Sequence, residues 1–204
     1  MKNKRISILD YGFGNLTSLQ GCLNRLGYSV NISDKKSVLR KGEILFLPGV
    51  GSFDAGIKAM HELDLVNFIS DFKDSGKTVV GICLGMQLLF SSSDEGESIA
   101  GLGFLPGKIK KVQGIPTHIG WNKINVVKKR TIFKNFHDQH FYFNHGYYYS
   151  GKSSITHCTA NTGKKDIPSI VKKSNVIGMQ FHPEKSQRNG ESLLKTIVEK
   201  FNHA

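Results

Sequence analysis

No run of apolar residues in the chain approaches the ~20 needed to cross a bilayer, so no membrane partner is expected. The basic start, Met1 to Arg5, leads through Ile6 to Leu9 straight into Asp10 and a glycine-rich turn, with no signal-peptide apolar region, which predicts a cytoplasmic location. Cysteine is scarce: Cys22, Cys83 and Cys158 make three, an odd number without CxxC spacing, which argues against a disulfide framework and a structural zinc site. No metal and no cofactor is expected. Pro/Ser linkers, low-complexity tracts and internal repeats are also missing, and 204 residues suffice for a core without staples, so residues 1–204 are expected to form a single domain. Acidic residues are few, 16 against 28 Lys and Arg, for a formal net charge of +12. Such a charge suits nucleic acid, an anionic substrate or an acidic partner without choosing among them. The basic residues come as separated pairs, Lys110-Lys111, Lys164-Lys165 and Lys172-Lys173, with Lys128-Lys129-Arg130 the longest run. Pairs of this kind usually lie on solvated faces, so no nucleic-acid partner is expected.

What is present is an alternation of short apolar runs and helical periods. Arg5 to Leu9 reads as a buried strand, and Leu16, Leu19, Leu23 and Leu26 then recur at helical spacing until Gly27 stops them. Strands follow at Tyr28 to Ile32 and Ile44 to Leu47, then a helix around Leu63 to Ser75, a strand at Thr78 to Ile82 and a helix at Leu84 to Phe90. Ser91 to Gly96 reads as an exposed loop. Between Gly101 and Tyr149, glycine-punctuated β-branched and aromatic stretches predict antiparallel strands and loops. Val176 to Met179 reads as another core strand and Glu191 to Phe201 as a terminal helix. The expected fold is α/β: an open, mostly parallel sheet flanked by helices, with added antiparallel strands.

Cys83 stands where a strand ends and a helix begins, inside Gly81-Ile82-Cys83-Leu84-Gly85. Glycines two positions before and after a nucleophile relieve the clashes of a strained turn, so Gly-x-Cys-x-Gly reads as a thiol version of the nucleophile elbow. A helix start behind the sulfur favours thiolate. The competing reading of such a cysteine is a small buried hydrophobe. The second element is Gln180-Phe181-His182-Pro183-Glu184, a strand running into a loop, with His182 just beyond the carboxyl end of a core strand where open α/β sheets bind ligands. Glu184 is close enough to hydrogen-bond the imidazole and hold its tautomer, which completes nucleophile, base and orienter.

With these residues the chain resembles the class I, triad-type glutamine amidotransferases, and among them the glutaminase subunits of imidazole glycerol phosphate synthase. The resemblance covers nearly the whole chain. It is carried by Asp10-Tyr11-Gly12-Phe13-Gly14-Asn15-Leu16, Leu47-Pro48-Gly49-Val50-Gly51-Ser52-Phe53, the Cys83 segment through Gln87, His118-Ile119-Gly120-Trp121-Asn122 and Gln180 to Ser186. It implies a flavodoxin-like sheet and hydrolysis of glutamine to glutamate and ammonia by Cys83, His182 and Glu184. The implied oxyanion hole uses the backbone of Leu84 and of Gly49, Val50 and Gly51, whose glycines let a peptide flip. Substrate contacts are implied for Gln87 and for His145, Gly146 and Tyr147, and interface or signalling roles for Asn15, Trp121, Asn122 and Lys185. The implied partner is a (β/α)8 cyclase subunit, joined in a heterodimer, that receives ammonia to make imidazole glycerol phosphate and an aminoimidazole carboxamide ribotide (AICAR) in histidine biosynthesis.

The chain departs from that pattern at Thr117, where proline is usual, and at Gly146, where serine is usual. With the basic charge, these changes open a second reading, a paralogous glutaminase that feeds a different synthase such as a surface-sugar amidotransferase. Two further readings belong to other classes. Phe141, Tyr142, Phe143 and Tyr147 to Tyr149 among lysines could stack RNA bases, although their alternation favours half-buried strands. The elbow could also serve a protease or esterase.

Overall fold

The computed structural model describes residues 4–96, 99–111, 117–151 and 153–201. The chain begins with β1 (Arg5–Leu9), α1 (Leu16–Arg25), β2 (Ser29–Ser33), α2 (Lys36–Leu39) and β3 (Ile44–Gly49). It continues with α3 (Phe53–Glu62), α4 (Val66–Asp74), β4 (Thr78–Cys83) and the five-residue α5 (Leu84–Leu88). Then come β5 (Lys108–Lys111), β6 (His118–Val126), β7 (His140–His145), β8 (Tyr147–Ser150), β9 (Thr156–Asn161), β10 (Asp166–Lys173), β11 (Val176–Met179) and α6 (Gln187–Lys200).

Nine strands form one sheet in the order β2-β1-β3-β4-β11-β10-β9-β6-β7, and β5 pairs with β8 separately. The first five strands of that order run parallel, and every pairing from β11 through β7 is antiparallel. The parallel strands β3, β4 and β11 are buried along their whole length, as strands covered on both faces must be. One core lies on the side of α1 and α6, with Leu19, Leu23, Leu193 and Ile197 against Ile8, Ile82 and Ile177. The other lies on the side of α3, α4 and α5, with Phe53, Ile57, Phe68 and Leu84 against Leu45, Leu47 and Val79.

The helix expected over Leu63 to Ser75 is α4, Val66–Asp74, and the helix before it, α3 over Phe53–Glu62, was not expected from the sequence. Asp64, with φ 50°, breaks them apart in a left-handed turn that no helix can pass through. The Phe53, Ile57 and Met60 face of α3 is fully buried, and Gly56 keeps it close to Leu88. Strands β9 and β10 carry no clear alternation in the sequence because β9 buries polar Thr156 and His157 beside Cys158. Cys22 and Cys158 are both buried in the core. The helix expected from Leu84 to Phe90 ends at Leu88, so only about one turn stands behind the sulfur.

Candidate active site

Cys83 is the last residue of β4 and has φ 53° and ψ −109°, a conformation costly for any residue with a side chain. Such strain persists only where the surroundings over-determine it, and here two glycines do so. A Cβ on Gly81 would lie 2.5 Å from the Gly85 carbonyl oxygen, and one on Gly85 only 1.7 Å from the Leu47 carbonyl oxygen. Substitution of either glycine would push α5 off the sheet. The elbow holds Cys83 at 5 % exposure, with its thiol toward the Asn144 carbonyl at 3.7 Å and the Gln180 amide donating toward the sulfur at 4.0 Å.

His182 follows β11, the strand next to β4, and donates its backbone N–H to the Tyr142 carbonyl at 2.9 Å. The Ser186 hydroxyl donates to the His182 carbonyl at 2.6 Å and accepts from the Tyr142 N–H at 3.0 Å, which locks the turn. Gly190 lets α6 sit directly on that turn, since a Cβ there would meet the Pro183 carbonyl oxygen at 1.8 Å. The imidazole Nδ1 lies 2.8 Å from Glu184 Oε1, with the two side chains only 2 % and 3 % exposed. The other nitrogen, Nε2, has no fully formed hydrogen bond among the described residues, while Cys83 acts on the ring as a neighbour. Burial pulls the His182 pKa down, but Cys83 and Glu184 outweigh it and hold the ring at about 10. A thiol, a strongly basic imidazole and a buried carboxylate together can run nucleophilic acyl transfer.

Gly49 ends β3 in register with Cys83, so Gly49, Val50 and Gly51 leave the sheet directly beside the Cys83 elbow. Gly51 has φ +123° and Val50 is 42 % exposed. Leu84 follows Cys83 into α5 and is buried. Gln87, also in α5, is buried, its amide donating to the Tyr147 carbonyl at 3.2 Å and to Gln180 Oε1 at 3.4 Å.

His145 belongs to a chain of bonds with one direction. The Asn122 amide nitrogen donates to the Asn161 carbonyl at 2.6 Å, and Asn122 Oδ1 accepts from the Lys123 N–H at 2.7 Å, which orients the amide. Asn122 Nδ2 therefore donates to His118 Nε2 at 3.1 Å, His118 Nδ1 donates to His145 Nε2 at 3.0 Å, and His145 Nδ1 donates to the Tyr147 carbonyl at 2.7 Å. Both rings must be neutral for this order. Burial lowers His118, and burial first, then the neighbouring His118 and His182, take His145 down to about 3 despite its bond to Tyr147.

A family model described as glutamine amidotransferase class-I matches residues 7–201. The chain belongs to the class-I glutamine amidotransferases. Imidazole glycerol phosphate synthase subunits HisH are among its relatives: 39% identical in Moorella thermoacetica, across 98% of this chain and 96% of that protein. The one from Bacillus cereus is 40% identical, across 94% and 93%, and the one from Halalkalibacterium halodurans 37%, across 96% and 97%. Among solved structures, a chain of PurLQS from Thermotoga maritima superposes with TM-score 0.77 at 20% identity, covering 98% of this chain and all, 100%, of that one. A glutamine amidotransferase crystal structure gives TM-score 0.76 at 20% identity, covering 95% and 97%. Both share the fold.

Trp121 and Ile119 project from β6 at 47 % and 63 % exposure, so Trp121 is not a core aromatic. Lys185 is exposed, with its ammonium 6.0 Å from the Tyr142 ring centre. Asn15 caps α1, accepting from the Ser18 N–H at 3.3 Å, so a structural task accompanies any interface role. Thr117 and Gly146, the two departures from the family pattern, face each other: a Cβ on Gly146 would meet only Thr117 Oγ1, at 3.9 Å. The RNA-stacking reading loses its platform, since Phe141, Phe143, Tyr148 and Tyr149 are buried. Gln180, His118 and Tyr11 had no role assigned from sequence. Gln180 was legible, because alternation places it on the same side of its strand end as His182.

Proposed function

We propose that the chain is the glutaminase subunit of an imidazole glycerol phosphate synthase in histidine biosynthesis, with residues 1–204 acting as one domain in the cytoplasm. One observation carries the chemistry: a strained, positive-φ Cys83 beside a buried His182–Glu184 pair. The pathway is supported by relatives at 37–40% identity that share the name along nearly their full length. Cys83 Sγ bonds to the side-chain amide carbon of glutamine as the thiol proton passes to His182, whose raised basicity favours the transfer. The amide oxygen becomes an oxyanion beside the backbone N–H groups of Leu84 and the Gly49-Val50-Gly51 segment. His182 then protonates the nitrogen as the C–N bond breaks, and ammonia leaves. Water attacks the thioester carbon, giving up its proton to His182, the C–S bond breaks as that proton returns to Cys83 Sγ, and glutamate is released. Gln87 and the His145-Gly146-Tyr147 loop hold the substrate.

Ammonia passes to a (β/α)8 cyclase subunit, which docks on the face marked by Trp121, Asn122 and Lys185, with Asn15 at its edge. The sequence calls for no metal or cofactor in this chemistry. The test is Cys83→Ala in the assembled synthase: glutamine-dependent product formation falls on the order of 10⁴-fold or more, while the ammonia-dependent reaction persists. Loss of both reactions, or of neither, overturns the assignment. A second reading, a paralogue serving a surface-sugar synthase, rests on the departures at Thr117 and Gly146 together with the basic charge. It is favoured if the histidine-pathway cyclase fails to activate a chain whose Cys83 a glutamine analogue still labels.

A further inference from the structure

Tyr11, just beyond β1, is 2 % exposed, and its hydroxyl finds no hydrogen-bond partner among the described residues. Buried hydroxyls are rarely left this way, because they lose water and gain nothing in return. The ring alone does not explain the residue. Its packing against Phe13, with ring centres 5.6 Å apart, and within the core around Leu47 and Leu84 would suit phenylalanine equally.

The position of the oxygen is informative. A Cβ on Gly49 would lie 2.4 Å from the Tyr11 hydroxyl, so the oxygen occupies the space that the missing side chain leaves. Gly49 is the residue in register with Cys83, and the peptide after it opens the proposed oxyanion segment. Gly14, at φ +111°, presses on the peptide before it, where a Cβ would come within 3.0 Å of the Pro48 carbonyl and 3.1 Å of the Gly49 nitrogen. Gly14 thus packs tightly against the Pro48–Gly49 peptide, and the Gly49–Val50 peptide is the next one along the chain. Burial, and then the charge of Cys83, raise the Tyr11 pKa, so the phenol keeps its proton and can act as a donor.

We propose that Tyr11 is a positioning residue for the oxyanion hole: its hydroxyl donates to the Gly49 carbonyl when the Gly49–Val50 peptide turns its N–H toward the reacting amide of glutamine. The bond absent from the free chain is then formed in the reacting one, which lowers the cost of the turned peptide selectively. This inference rests on the glutaminase reading.

Tyr11→Phe removes only the oxygen. In the complex with the cyclase, kcat for glutamine is expected to fall about 10- to 100-fold with KM within about twofold, as for supports that orient a reacting group. Alkylation of Cys83 by iodoacetamide, which needs no oxyanion hole, and the thermal melting curve stay at the wild-type values. Unchanged kcat in the variant overturns the inference, as does a parallel loss of alkylation, which would mean that Tyr11 serves the thiol. A wild-type complex that does not hydrolyse glutamine instead overturns the glutaminase reading.

Discussion

The two halves of the nine-stranded sheet are built by different means. The parallel half, β2-β1-β3-β4-β11, holds Cys83, the Gly49 to Gly51 segment and the strand leading to His182, and it does so by close backbone contact. Gly81 and Gly85 leave no room for a Cβ beside the strained Cys83, and Gly190 leaves none beside the turn that carries His182. The antiparallel half, β10-β9-β6-β7, contributes side-chain hydrogen bonds: the one-way chain from Asn122 through His118 and His145 to the Tyr147 carbonyl. It also carries exposed apolar residues, Ile119, Trp121 and Val127. Steric constraint thus places Cys83 and His182, and a polar network with an exposed apolar edge lies in the other half. Perturbing the first half should damage chemistry, and perturbing the second should change pH response and association.

Beyond Cys83 itself, Glu184→Gln gives the largest expected effect. Glu184 is one of the groups that raise His182, so the amide should bring the ring down from about 10 and cost about 100-fold or more in kcat. An imidazole titration followed by NMR, beside glutamine kinetics, measures both. An unmoved titration would show that Cys83 alone sets the ring and that the carboxylate is a packing feature.

Acid sensitivity comes next and belongs to the antiparallel half. His145 titrates at about 3 and His157 at about 4 in the folded chain, against 6.5 for an unperturbed ring. For His157 the causes are burial first, then Lys128 and Lys172. As pH falls the unfolded chain binds these protons first. Stability present above pH 6.5 is therefore lost progressively down to about 4 for His157 and about 3 for His145, at up to about 1.4 kcal/mol per pH unit for each ring. Denaturant melts of His157→Gln across that window should show a shallower slope than wild type. An equal slope would place the acid lability elsewhere.

Trp121→Ala should weaken cyclase binding by about 2 kcal/mol, as an exposed aromatic anchor does, while the isolated chain melts as wild type. Calorimetric titration with the cyclase reads the first and a thermal scan the second. A drop in melting temperature with unchanged affinity would return Trp121 to a folding role. Gly146→Ser should have the smallest effect, within about 0.5 kcal/mol of wild-type stability. Gly146 has an ordinary φ, and a side chain there meets nothing nearer than Thr117 Oγ1 at 3.9 Å. A large loss would mean that the missing serine reports a backbone requirement.

Much of the parallel half was legible because its constraints are local. The Gly81, Cys83, Gly85 spacing and the two-residue step from His182 to Glu184 state their own sterics and hydrogen bonding within a few positions. The antiparallel half was legible only as a change in character between Gly101 and Tyr149, and β9 and β10 were not read at all. Their buried face mixes Thr156 and His157 with Cys158, so no alternation of apolar and polar residues marks them. Helix α3 was hidden for a related reason, since its break from α4 depends on the left-handed Asp64 and not on proline or glycine.

By itself the sequence determined the sheet-and-helix class, the elbow and the pairing of a base with its carboxylate, because strand period, glycine sterics and short-range hydrogen bonds act along the chain. Tertiary structure alone decided that Trp121 is exposed, that His118 bonds to His145, and that the Tyr11 hydroxyl fills the space beside Gly49. Those contacts join residues far apart in sequence, and no local propensity encodes which distant backbone will be brought within hydrogen-bonding reach.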